Sequence, residues 1–332
     1  MNPEACIAAL PDPRPSKPRI PAFGSKILGK VRRAPHTICR LIYWRWQATL
    51  RRFPNVVEFY YRYNPFPQRT AIPTPLGFKM SGGNSAHHRV MMNGEFERDE
   101  VREVQSLMDE VDVFVDVGAN IGYYSLLARQ KNKYVIAVEP LAANFQFLCR
   151  NFVANGWEDA EAYPMGLGRK PGIAVLYGLS STGASMLAGW AGAPHRWRQT
   201  IPVTTLDGIL GNRFAEKNIL IKIDVEGVEY DVEGVEYDVL RGADTVLARS
   251  RRPTFMVEIC LGEFNPGGKN PNFRDTFRLF WEHGYEARLM GGGNRPVTSA
   301  DVERWVRIGR TDTGVINYLF TPVTRQVVNM RP

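Results

Sequence analysis

Two stretches of this 332-residue chain gather residues that could do chemistry. The first is Asp116-Val117-Gly118-Ala119-Asn120-Ile121-Gly122, which follows an apolar run opening at Val113. A β-branched run closing on an acid and followed by two glycines predicts a strand, a tight turn and a helix start. Gly118 permits the sharp turn, and Gly122 lets the helix start come close to a ligand. Backbone N–H groups at such a helix start can face an anion. Taken alone, a turn of this kind is equally well read as a connection that binds nothing. Glu139 weighs against that reading. The next run, Tyr134–Val138, brings it to a strand's carboxyl end about 20 residues after the turn, where an acid accepts hydrogen bonds from two ribose hydroxyls.

Asp116 stands where a nicotinamide-binding turn carries its first glycine. An acid there suits S-adenosyl-L-methionine, which has no pyrophosphate and carries an ammonium and a sulfonium. The second stretch, Lys222-Ile223-Asp224-Val225-Glu226, places two carboxylates at the end of another apolar run. Methyl transfer from a sulfonium needs an aligned acceptor and a base within hydrogen-bond reach. Asp224 and Glu226 are the expected catalytic pair, with Glu258 and His195 in reserve. No metal is expected, although Asp224, Glu226 and Asp207 are the carboxylates that a magnesium-assisted variant would use.

Positioning such groups takes an alternation of strand and helix. Strands are expected at Val113–Val117, Tyr134–Val138, Ala162–Met165, Ile219–Asp224 and Thr254–Ile259, and helices at Arg98–Met108, Gly122–Gln130, Asn144–Asn155 and Tyr237–Ala243. Strand and helix in turn imply an α/β fold, a Rossmann-like doubly wound and mostly parallel sheet. Glu286–Met290 and Asn317–Thr321 are expected to add an antiparallel C-terminal edge.

Composition sets the outer limits. Four widely spaced cysteines imply neither a disulfide framework nor a zinc cage. No apolar run reaches the roughly 18 residues of a spanning helix, so the expected location is cytoplasmic. The net charge of +8 is uneven, because residues 14–69 hold thirteen Lys or Arg and one acid, Glu58. Residues 1–24, with prolines at 3, 11, 13, 15, 18 and 21, read as a disordered leader. Residues 25–75 read as a basic, Arg/Trp-rich helical extension, and 76–325 as the catalytic domain. Within the extension, 25–53 is either a helical cap or a peripheral contact with anionic membrane. Without a base-stacking module, nucleic acid is not an expected partner.

These residues together resemble the FkbM-type methyltransferases, a family of S-adenosylmethionine-dependent enzymes. The resemblance is carried by Gly94–Glu97, VFVDVGANIGYYS at 113–125, VIAVEP at 135–140, TLD at 205–207, LIKIDVEG at 220–227, VLRGA at 239–243 and Val257-Glu258. It implies O-methylation of a sugar, glycoconjugate or secondary metabolite, hence a small-molecule or glycan acceptor. It further implies cofactor contacts by Asp116, Gly118, Asn120, Gly122 and Glu139, with Glu97 at the methionine end and Asp224 and Glu226 toward the acceptor.

One departure from the family pattern is plain. EGVEYDV occurs twice in tandem, at 226–232 and 233–239, where the family runs a single copy into VLRGA. The first copy, joined to the strand, is expected to serve the site. A catalytically impaired chain acting as a binding or membrane-associated module is the alternative.

Overall fold

The computed structural model describes residues 68–83, 86–177, 198–225, 235–262, 269–291 and 293–323. The leader and the segment 25–53 lie outside the described residues, as do Glu226, His195 and the first copy of the repeat.

The parallel strands form because their residues suit a sheet covered on both faces. Strands β3 (Val113–Val117) and β9 (Ile219–Ile223) are buried at all five positions, as expected of interior parallel strands. They pair in parallel, with Asp116 opposite Lys222. Strand β4 (Tyr134–Val138) lies on the far side of β3, and β5 (Glu161–Tyr163) follows it. Beyond β9 lies β10 (Thr254–Glu258), also parallel. The edge then turns antiparallel through β13 (Asn317–Pro322), β11 (Tyr285–Leu289) and β12 (Pro296–Val297). The order across the eight strands is β12-β11-β13-β10-β9-β3-β4-β5. This is the expected mostly parallel sheet with an antiparallel C-terminal edge. Its two predicted edge strands do pair, although β12 and the helix Ser299–Ile308 lie between them in sequence.

Alternate residues of each strand enter different cores. Val113, Val115, Val117, Ile219, Ile221 and Ile223 face one layer, with Val239, Leu240, Phe277 and Trp305. Phe114, Leu220 and Met256 face the other, with Val104 and Met108 of the helix Arg98–Asp109, Leu126 and Leu127 of Tyr123–Gln130, and Leu148 and Phe152 of Ala142–Ala154. Burying each large apolar side chain contributes about 1.5–3 kcal/mol. By the same parity Asp116 and Lys222 point into this second layer, as two charges among apolar neighbours.

Two smaller sheets complete the description. An antiparallel pair, β1 (Gln68–Pro73) with β2 (Lys79–Gly82), packs against the helix Ala142–Ala154 and runs across the expected boundary at 75/76. Strands β6 (Gly166–Leu167), β7 (Gly172–Tyr177) and β8 (Arg198–Thr204) form a three-stranded sheet that the alternation did not foretell. The single run expected at Ala162–Met165 is divided between β5 and β6. Among the described residues, no helix is long and apolar enough to cross a membrane.

Candidate functional site

The carboxyl ends of β3, β4 and β9 meet at the turn 116–122. The Gly118 N–H donates to the Val138 carbonyl at 2.9 Å, and the Asp224 N–H to the Val117 carbonyl at 3.0 Å, so the three strand ends are stitched together. Gly118 has φ +84°, and a Cβ there would come within 1.8 Å of the Asp224 carbonyl oxygen. Its lack of a side chain therefore also allows β9 to approach. Gly122, at φ +92°, caps the following helix, and a Cβ there would lie 2.6 Å from Leu148 Cδ1. A side chain at Gly122 would be strained by the positive φ and would push the end of Leu148 aside. Asn120 occupies the left-handed region at φ 53°, which asparagine tolerates better than most residues.

Glu139 closes the turn from the β4 side. Its Oε2 accepts from the Asn120 N–H and its Oε1 from the Leu141 N–H, both at 2.8 Å. The residue is only 5% exposed. Burial pushes its carboxyl up to about 7, against the opposing pull of the Leu141 and Asn120 N–H donors and of Asn144. With Asn144 also bonded to it, the carboxylate has about three of its four acceptor positions engaged and keeps room for a further hydroxyl.

A second group of charges lies under the β3–β9 junction. Lys222 Nζ contacts Asp224 Oδ2 at 2.5 Å and sits 4.8 Å from the centre of the Tyr124 ring. The Lys222 side chain is 3% exposed and that of Asp224 27%. Burial opposes the ammonium charge, but Asp224, Asp116 and Glu97 outweigh it and raise the affinity of Lys222 for its proton. Asp116, 1% exposed, accepts from Ser125 Oγ at 2.6 Å through Oδ2. Its Oδ1 is buried and has no hydrogen-bond partner among the described residues. Burial raises the Asp116 carboxyl, with Lys222 and Ser125 pulling the other way.

Glu97 reaches the same group from the start of the helix Arg98–Asp109, where it holds φ 42°. Its Oε2 accepts from Tyr124 Oη at 2.6 Å. Burial raises its carboxyl, partly offset by Lys222. Five of the six residues expected at the cofactor, Asp116, Gly118, Asn120, Gly122 and Glu139, thus lie on one turn and the adjoining strand end. Glu97 and the expected catalytic Asp224 join through Lys222 and Tyr124. The partner expected for Asp224, Glu226, lies outside the described residues.

The reserve groups divide differently. Both oxygens of Asp207 accept from backbone, Oδ2 from Thr245 and Oδ1 from Val246, each at 2.9 Å. That caps the short helix Asp244–Leu247. Glu258 ends β10 opposite Asn317. Lys222 and Tyr124 were given no role by sequence reasoning, although a lysine inside an apolar strand is itself a signal, because such residues are buried only when paired.

A sheet in this order, with a glycine turn after β3 and a buried acid after β4, defines a Rossmann-like methyltransferase fold. The methyltransferase FkbM domain matches residues 116–287, just over half of the chain. The chain belongs to the FkbM methyltransferase family, and its methyl donor is S-adenosylmethionine. No curated protein matches it. Among solved structures it is similar to an rRNA methylase from Streptococcus thermophilus, at 12% identity over 68% of this chain and 97% of that one, with a TM-score of 0.37. It is similar also to the geranyl diphosphate C-methyltransferase of Streptomyces coelicolor, at 12% identity over 71% and 84%, with a TM-score of 0.34. A third is a putative RNA methyltransferase from Pyrococcus horikoshii, at 13% identity over 70% and 85%, with a TM-score of 0.32.

The residues present fit this donor. An unpartnered buried carboxylate oxygen on Asp116 suits a cation, and Glu139 offers acceptor capacity at the end of β4.

Proposed function

We propose that this chain is an O-methyltransferase acting on a hydroxyl of a small-molecule, sugar or glycoconjugate acceptor. The observation that carries the reading is the convergence of Glu139, Asp116 and Asp224 on the joined ends of β4, β3 and β9. S-adenosylmethionine, when bound, supplies an electrophilic methyl on sulfonium.

In this reading Glu139 accepts the ribose hydroxyls, one of them in place of the Asn144 side chain. Asp116 and Glu97 hold the ammonium end, where the group of Lys222, Asp116, Asp224 and Glu97 has more carboxylates than cations. Gly118, Asn120 and Gly122 shape the turn beneath the ligand. Asp224, one oxygen committed to Lys222 and the side chain still partly exposed, faces the acceptor with Glu226 beside it in sequence. Asp224 and Glu226 would hold the acceptor hydroxyl and take its proton, and the bound donor would supply the methyl that replaces it. A base so placed is worth about 10²- to 10⁴-fold in rate.

Calorimetric titration with S-adenosylhomocysteine tests the cofactor half of this reading. Saturable binding by the wild-type chain that is lost in Glu139→Ala and in Asp116→Ala supports it, and a folded chain that binds nothing overturns it. An acceptor screen starting from glycans then tests the O-methyl half. The tandem repeat beginning two residues after Asp224 favours one alternative, a module that binds cofactor without turnover. Binding with no methyl transfer to any acceptor would support that instead. The Arg/Trp segment 25–53 is proposed to contact anionic membrane, which sedimentation with anionic and neutral vesicles checks.

A further inference from the structure

The cofactor turn is gripped from one side by residues that precede the family match, which begins at 116. Two polar links do this. In the first, the Gly83 N–H donates to His88 Nδ1 at 2.9 Å, and His88 Nε2 lies 3.0 Å from Asn120 Oδ1. In the second, Asn151, fully buried, accepts from the Ser81 N–H and Ser81 Oγ at 2.7 and 2.8 Å. Its Nδ2 donates to the Ser81 carbonyl at 3.0 Å and to the Ile121 carbonyl at 2.8 Å. The pair β1–β2 and the helix Ala86–Met92 thereby hold two successive turn residues, 120 and 121.

The chemistry of the first link fixes a tautomer. A ring nitrogen that accepts a backbone N–H carries no proton, so the neutral imidazole bears its hydrogen on Nε2 and donates it to Asn120 Oδ1. His88 is 1% exposed, and its ring meets Phe147 edge-on at 6.3 Å. Burial lowers its pKa to about 4, against the pull of Asn120, so the ring stays neutral near pH 7. With Oδ1 occupied, the Asn120 amide is oriented, and its Nδ2 is turned the other way as a donor. The Asn120 backbone N–H at the same time holds Glu139 Oε2.

We propose that His88 is a positioning residue for the cofactor turn: as the Nε2–H tautomer it orients Asn120 and so sets affinity for the cofactor. This rests on the reading of Asn120 and Glu139 as cofactor residues. The side chain of His88 acts through Asn120 and touches no ligand itself. Its effect on binding must therefore disappear when the Asn120 side chain is removed.

A double-mutant cycle on the full chain tests this, read by calorimetry with S-adenosylhomocysteine. His88→Phe keeps a ring of similar size and removes both nitrogens. It should weaken binding about tenfold, the effect of about one lost hydrogen bond. His88→Gln, whose amide can again donate to Asn120, should recover affinity to within about threefold of wild type. In an Asn120→Ala background, His88→Phe should change affinity by less than about twofold, although it still lowers the unfolding temperature. Nitrogen NMR of the imidazole should show the Nε2–H tautomer in the cofactor-free protein at pH 7.

Equal losses in both backgrounds would overturn the proposal, since His88 would then act through general packing. An Nδ1–H tautomer, or a folded His88→Phe variant that binds like wild type, would overturn it too. A wild-type chain that binds no S-adenosylhomocysteine is a distinct result. It removes the reading of the turn on which the proposal rests, whereas in the other failures wild type binds.

Discussion

Lys222 and Asp116 face one another across the β3–β9 pair, and Lys222 closes an ion pair to Asp224, the residue just past the end of its own strand. Lys222 is thus the cation that three carboxylates, Asp116, Asp224 and Glu97, share in a buried layer. Replacing one partner of such a group by an apolar residue costs about 3–5 kcal/mol, because the remaining charges stay buried and unpaired. Lys222→Met should therefore lose stability on that scale in urea unfolding. The double variant Lys222→Met with Asp116→Asn should lose less than Lys222→Met alone. If Lys222→Met unfolds like wild type, the shared-cation account is wrong.

If Glu139 receives the cofactor's ribose as proposed, cofactor affinity should depend on pH. Its carboxyl is raised from 4.5 to about 7, so the folded apo chain keeps a proton there that the unfolded chain has lost. This contribution to apo stability is fully present below pH 4.5 and is lost as pH rises through about 7. In the proposed site ribose hydroxyls would donate to the ionised carboxylate, so binding would favour the deprotonated form. The Kd for S-adenosylhomocysteine should fall about tenfold from pH 6 to pH 8, as the ionised fraction rises from roughly a tenth to nine tenths. Glu139→Gln should flatten that profile. A wild-type Kd that does not change with pH would contradict the assignment.

Glycine is required at 118 by contact as well as by backbone angle. Gly118→Ala places a Cβ 1.8 Å from the Asp224 carbonyl, where backbone must move. Gly156 has a similar φ of +71° but nothing within 4 Å of its missing Cβ. Gly156→Ala should cost about 1 kcal/mol, from backbone strain alone. Gly118→Ala should cost about 3 kcal/mol or more and abolish S-adenosylhomocysteine binding. Thermal unfolding of the two variants side by side gives the comparison.

The repeat permits an unusual deletion, because removing 226–232 or 233–239 yields the same sequence, KIDVEGVEYDVLRGA. In the structure the second copy supplies the helix Val235–Arg241, which buries Val235, Val239 and Leu240. A single-copy chain keeps that helix and shortens the connection from Val225 from nine residues to two. Loop-closure entropy then favours the shortened chain by about 1 kcal/mol. A higher unfolding temperature with cofactor binding retained is the expected result. A lower one would mean that both copies are needed for the native contacts.

Much of the fold was legible in the chain because it follows from local pattern. The runs at Val113–Val117 and Tyr134–Val138 are strands at the expected bounds, and the helices after them begin within two residues of expectation. Strands β7 and β8 were not foreseen. β7 reads GIAVLY, an apolar run that the strand–helix alternation passed over, whereas β8 reads RQTIPVT, in which polar residues and Pro202 weaken the strand pattern.

The turn at 116–122, the acid at the end of the next strand and the antiparallel C-terminal edge were fixed by the amino-acid sequence itself. The first two depend on residue types within neighbouring elements, and the third on two apolar runs close to the C-terminus. Tertiary structure alone decided that Lys222 neutralises Asp116, that Gly118 makes way for the Asp224 carbonyl, and that His88 reaches Asn120 from outside the matched domain. Those relationships depend on the order of strands in the sheet and on their register. Both are set by how distant segments share one buried layer, and no local periodicity encodes that.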